Sequence, residues 1–134
     1  MRPMGLVAAA VAVALLAAGC GGPGGREDAA AAVAIRLLDA VDDRDGAGAC
    51  ATLAPETLAD LEKSADQPCD QAILDEDLPG PSGVTTTNVY GQWAQVRLQT
   101  DTLFLAVFPG GWKVVAAGCR SRGDRPYDCT LQGG

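Results

Sequence analysis

Apolar residues recur along this chain in three rhythms, and each predicts a different kind of element. From Gly5 to Ala18 no polar side chain interrupts the run. Between Glu27 and Asp43 the spacing is helical: Ala30, Ala34, Leu37, Leu38 and Val41 fall on one stripe, with Arg36, Asp39, Asp42 and Asp43 mostly off it. Glu27 and Asp28 suit the N-terminal end of that helix, where the backbone dipole favours negative charge. Asp45-Gly46-Ala47-Gly48 breaks the rhythm. A short helix then carries Cys50 toward Ala54, and Pro55 fits the first turn of a further helix reaching about Ser64, with Leu58 and Leu61 facing inward. Cys69 opens one more helical turn that includes Ile73 and Leu74.

Leu78-Pro79-Gly80-Pro81-Ser82-Gly83 is a strong break, and the period beyond it is two. Val84 to Tyr90 is rich in threonine and valine. From Trp93 to Gln99, Ala94, Val96 and Leu98 point one way while Gln95, Arg97 and Gln99 point the other. Thr100-Asp101 makes a tight turn, which places Asp101 in solvent. Leu103 to Phe108 is apolar on both faces and reads as a central strand. Pro109-Gly110-Gly111 turns again, Trp112 to Ala117 forms the next strand, and a loop from Arg120 to Pro126 leads to an edge strand through Tyr127, Cys129 and Leu131. Helices first and an antiparallel meander after is an α+β order. The expectation is N-terminal helices packed on a curved antiparallel sheet of about four strands.

The uninterrupted run is too short for a spanning helix, which needs about 20 apolar residues. With Arg2 before it, it has instead the shape of an export signal. It stops at Leu16-Ala17-Ala18-Gly19-Cys20, followed by Gly21-Gly22-Pro23-Gly24-Gly25. Small residues before a cysteine let the peptide lie extended in a peptidase cleft, and the thiol is the nucleophile that takes up a diacylglyceryl group. These residues resemble the lipobox of bacterial lipoproteins, with Ala17 where leucine is commoner. The resemblance implies a signal peptide over residues 1–19, lipid of the palmitate kind on Cys20, a flexible tether over 20–26, and a single domain over 27–134. It implies a cell-membrane location, lipid-anchored on the extracytoplasmic face.

Charge narrows the possible partners. The whole chain carries a net charge of −7, and losing Arg2 with the leader makes the mature protein more acidic still. Such a domain repels nucleic acid and anionic headgroups. Histidine is absent, which removes the commonest general base and transition-metal ligand.

Besides Cys20 there are four cysteines, Cys50, Cys69, Cys119 and Cys129, an even number for an oxidising compartment. No Cys-x-x-Cys spacing suggests a redox pair or a zinc ribbon. Four cysteines allow three pairings. The local one, Cys50–Cys69 and Cys119–Cys129, is favoured because each pair lies within one structural region. In the chain-entropy picture each bridge stabilises the fold by roughly 3 kcal/mol.

The segments Asp43 to Pro55 (DRDGAGACATLAP), Cys69, Gly111 to Cys119 (GWKVVAAGC) and Pro126 to Cys129 (PYDC) resemble small lipoproteins of high-GC actinobacteria, whose function is not established. The order and size of the elements resemble the cone-shaped fold of the nuclear transport factor 2 (NTF2) family, in which a long helix and two shorter ones pack on a curved sheet. That resemblance covers most of the mature domain and implies fold and compartment rather than an activity.

Candidate chemistry is sparse. Asp42-Asp43-Arg44-Asp45-Gly46 invites a calcium reading, but with Gly46 as the sixth loop position the first is Val41 and the twelfth Thr52, and neither serves. Asp75-Glu76-Asp77 reads as a solvated acidic loop. Relatives with the cone fold include ketosteroid isomerase and scytalone dehydratase, which use an acidic base, tyrosine or histidine inside the cone. Here no acid stands on an apolar strand face. Tyr90, Trp93, Phe104 and Trp112 are the candidate pocket residues, although aromatics are only 4% of the chain and each has packing to do. The expectation is a non-enzymatic binding or interaction module with no catalytic residues, metal or cofactor. Its partners would be the membrane, through the lipid, and an envelope protein or small apolar ligand, with no nucleic acid. An accessory subunit of a membrane complex is the alternative, and a small-molecule enzyme with a cone pocket a lesser one.

Overall fold

The computed structural model describes residues 24–133, so the leader and Cys20 lie outside the described residues. Four helices come first: α1 (Gly25–Asp42), α2 (Gly46–Cys50), α3 (Pro55–Ala65) and α4 (Cys69–Asp75). Five strands follow: β1 (Val84–Tyr90), β2 (Trp93–Leu98), β3 (Thr102–Phe108), β4 (Gly111–Arg122) and β5 (Arg125–Gln132). They form one antiparallel sheet in the order β1-β2-β3-β4-β5, an open meander of five strands rather than about four. Among the described residues, no helix is long and apolar enough to cross a membrane.

The helices cover one face of the sheet. Ala30, Ala34, Leu37 and Leu38 of α1 are fully or almost fully buried, as their spacing predicts. They pack in one core with Leu61, Ile73, Val96, Leu103, Leu105, Val114 and Leu131. Burying each large aliphatic side chain stabilises the fold by about 1.5–3 kcal/mol. α1 starts two residues earlier than the spacing suggests: Gly24 adopts a left-handed φ of 96° and its carbonyl accepts from the Asp28 N–H at 2.8 Å. That places Gly25 and Arg26, the last two residues of the expected tether, in the helix.

Disulfides join Cys50 to Cys69 and Cys119 to Cys129. The first ties the end of α2 to the start of α4. Gly46 lies so close to the Asp70 backbone that no side chain fits between α2 and α4. Glu62 of α3 accepts from the Cys69 N–H at 2.9 Å and so occupies an orphan donor at the start of α4. The second bridge joins directly paired residues of β4 and β5.

The segment 120–126 is not a loop. β4 runs on to Arg122, the chain turns at Gly123-Asp124, and β5 resumes at Arg125, opposite Arg122. Its polar composition hides the ladder because both faces are wet there, so no apolar alternation is needed to register the strands.

Candidate functional site

Cross-strand partners share a face, and successive residues alternate. The pairs Tyr90↔Trp93, Trp93↔Ala106, Gln95↔Phe104 and Phe104↔Ala116 therefore put these side chains on the face of the sheet that the helices leave uncovered. Trp112 pairs with Val107 and packs against the core on the helix side. The register thus divides the four expected pocket residues: Tyr90, Trp93 and Phe104 on one face, Trp112 on the other. Composition could not reveal this, because an aromatic residue serves either face equally well.

Two adjoining hollows occupy the uncovered face. One, of about 430 Å³, lies among Pro55, Thr57, Trp93, Ala106, Phe108 and Val115. The other, of about 360 Å³, lies among Trp93, Phe104, Ala116, Pro126, Tyr127 and Gln132. Trp93, Val115 and Gly133 border both, so together they make one groove with Trp93 at its middle. Each hollow falls within the size range of small-molecule sites, about 300–1,000 Å³.

The groove exists because of how β4 is flanked. Its register shifts between Val114 and Ala116, which leaves Val115 as the extra residue of a bulge. Beyond that point β5 has ended, and residues 52–54 take its place. Leu53 forms a parallel bridge to Val114, the Ala54 N–H donates to the Val114 carbonyl at 2.8 Å, and the Val114 N–H donates to the Thr52 carbonyl at 2.8 Å. The Thr57 hydroxyl donates to the Val115 carbonyl at 2.9 Å. The start of α3 thereby becomes one wall, with Pro55 at its lip. On the other side Tyr127 stands edge-on to Phe104, with ring centroids 5.0 Å apart at 74°. Gln95 Nε2 and Arg97 donate to its hydroxyl oxygen at 3.2 and 3.3 Å. Tyr127 is one of the two polar-tipped aromatics that the sequence offers for this face, whereas Thr57 and Val115 do not stand out in it. Pro126 and Tyr127 read as a tail, and Thr57 offers no apolar signal.

The acidic groups lie elsewhere. Glu56 is exposed beside the first hollow. Asp101, expected in solvent, is 7% exposed. Its turn folds against β4, where Oδ1 accepts from the Thr102 and Cys119 N–H groups at 2.7 and 3.1 Å and Oδ2 from the Gly118 N–H at 3.2 Å. Burial raises its pKa above the ordinary carboxylate value, and the three backbone donors oppose that rise. Gly118 has a φ of 63°, and a side chain there would run into Thr130 and Leu78. Asp101 is thus a staple between the β2–β3 turn and the bend in β4, with both oxygens engaged away from the groove. Glu76 is also raised, by burial and by the charge of Asp75. Among the described residues no cluster of three or more acidic or cysteine side chains is arranged to hold a metal ion.

No family model matches the chain, and no curated protein matches it. A solved structure of a function-unknown protein from Mycobacterium tuberculosis aligns with 77% of this chain and 72% of that one, at 14% identity and a TM-score of 0.30.

Proposed function

We propose that this chain is an extracytoplasmic lipoprotein, anchored through lipid on Cys20, whose NTF2-like domain binds an apolar ligand, or an apolar segment of an envelope partner, without catalysing a reaction on it. The observation that carries the binding reading is the continuous groove centred on Trp93, apolar along most of its length and with no buried acid or base directed into it. The two disulfides suit an oxidising compartment outside the cytosol. The succession of one long helix, shorter helices and a bulged sheet favours the cone relationship.

The groove offers van der Waals surface and a few fixed polar points: the Tyr127 hydroxyl, Gln132 and the Glu56 carboxylate at the rim. An elongated apolar molecule with a neutral or cationic end is the chemistry that fits, since apolar burial supplies the attraction and the polar points set the orientation. The test has two arms. Intact mass of the membrane-extracted protein is expected to show a chain that starts at a diacylated Cys20. Titration of the Cys20→Ser mature protein with the fluorescent apolar probe N-phenyl-1-naphthylamine is expected to give saturable binding, weakened several-fold by Phe104→Ala and left unchanged by Trp112→Phe. Binding unaffected by Phe104→Ala would overturn the groove assignment.

A further inference from the structure

We infer that the bilayer surface is itself a partner of this domain, received at the end of the sheet formed by the β1–β2 turn, with Tyr90 and Trp93 lying in the headgroup layer. This rests on the lipoprotein reading. A residue spans at most about 3.5 Å, so the five steps from Cys20 to Gly25 reach no more than roughly 18 Å. A lipidated Cys20 therefore keeps the first turn of α1 at the membrane.

The structure joins that turn to a particular part of the sheet. The Arg26 guanidinium donates to the Gly91 carbonyl at 2.6 Å and stands 5.5 Å over the Trp112 ring. Gly91 lies in the two-residue turn between β1 and β2, and Tyr90 and Trp93 are the paired residues on either side of it. Tyr90 is 65% and Trp93 54% exposed. Tyrosine and tryptophan are the side chains that favour the water–hydrocarbon boundary, where the ring is half apolar and the polar tip stays hydrated. Tyr90 borders neither hollow of the groove, so ligand binding there does not account for its exposure.

Charge agrees. Residues 84–96 and 102–112, which contain the β1–β2 and β3–β4 turns at this end, include no charged side chain. Arg97 and Asp101 lie toward the opposite end of the sheet, as do Arg120, Arg122, Asp124, Arg125 and Asp128 around the β4–β5 turn. Fourteen of the seventeen acidic residues precede β1. Glu27 and Asp28 are the acids close to the anchor and Glu56 borders the hollow beside Trp93, with Arg26 and Lys113 as the nearby cations. The two turns at the end nearest the membrane thus set no charge of their own against an anionic surface.

The chain has two tryptophans, so each can be isolated. The lipidated protein is reconstituted into phosphatidylcholine–phosphatidylglycerol vesicles carrying acyl chains brominated near the headgroup. Trp93, observed in Trp112→Phe, is expected to shift to the blue relative to the soluble Cys20→Ser protein and to lose a large part of its emission. Trp112, observed in Trp93→Phe, is expected to do neither. Adding Tyr90→Asp to Trp112→Phe is expected to restore Trp93 emission while the protein still floats with the vesicles. Lipidated, vesicle-bound protein whose Trp93 stays unquenched overturns this inference alone. Absence of lipid from the intact mass overturns the anchor and this inference together.

Discussion

The two faces of the same five strands are built on opposite principles. On the helix side the sheet presents Val96, Leu103, Leu105, Val114 and Leu131, all nearly or completely buried and all aliphatic. On the other side Trp93, Phe104, Phe108 and Tyr127 remain exposed or half-buried around small floors at Ala106 and Ala116. Aliphatic side chains of similar size interdigitate with the α1 stripe and leave no space. Large rings raised over alanines cannot close on themselves without a second layer, and a groove remains. The packed core therefore lies on one face and the groove on the other, in strands that contribute to both.

Adjacent positions in β3 give the sharpest test. Leu105→Ala is expected to cost about 2–5 kcal/mol, since it opens a cavity in a fully packed core, whereas Phe104→Ala, on a half-open face, should cost clearly less. Urea denaturation of the two variants measures both, and equal losses would break the division of labour between the faces. The disulfides extend the contrast. Replacing both Cys50 and Cys69 by serine is expected to cost about 3 kcal/mol and to leave probe binding intact, because that bridge joins helices. Replacing both Cys119 and Cys129 should cost a similar amount and also weaken the probe, because Cys129 borders the second hollow.

Asp101→Asn comes next, at about 1–3 kcal/mol, because the amide NH₂ would face the Gly118 N–H as donor against donor. The pH dependence has a definite sign. The folded-state pKa of Asp101 lies above its ordinary 3.8, so the native state binds the proton more tightly than the unfolded chain. Its contribution to wild-type stability is full below that value and declines as pH rises through the raised one. The gap between wild type and Asp101→Asn should therefore narrow as pH rises from below 4, as thermal melts across that range would register. Trp93→Ala is the smallest effect on stability, within about 0.5 kcal/mol for a mostly exposed side chain, together with a several-fold loss of probe affinity.

The legible part of the fold was the part that follows from periodicity. A 3.6-residue stripe produced α1, a period of two produced β2, and Pro-Gly punctuation separated helices from sheet, because these patterns are local consequences of burying one face. Asp101 shows where local reading stops. Its position in a turn was correct, yet its exposure depended on backbone N–H groups of Gly118 and Cys119, distant in sequence. The hairpin at residues 120–126 was missed for a related reason: strands wet on both sides carry no alternation.

By itself the sequence determined the helix-then-strand order, the acidity, the absence of histidine and the even set of four cysteines beyond Cys20. Only the tertiary structure decided which aromatic residues meet. Side-chain chemistry is the same on either face of a strand, and cross-strand register, set by turns and by the bulge at Val115, determines the face. That register packs Trp112 against the core beneath Arg26, and leaves Trp93 standing between two hollows beside the end of the domain where the chain begins its first helix.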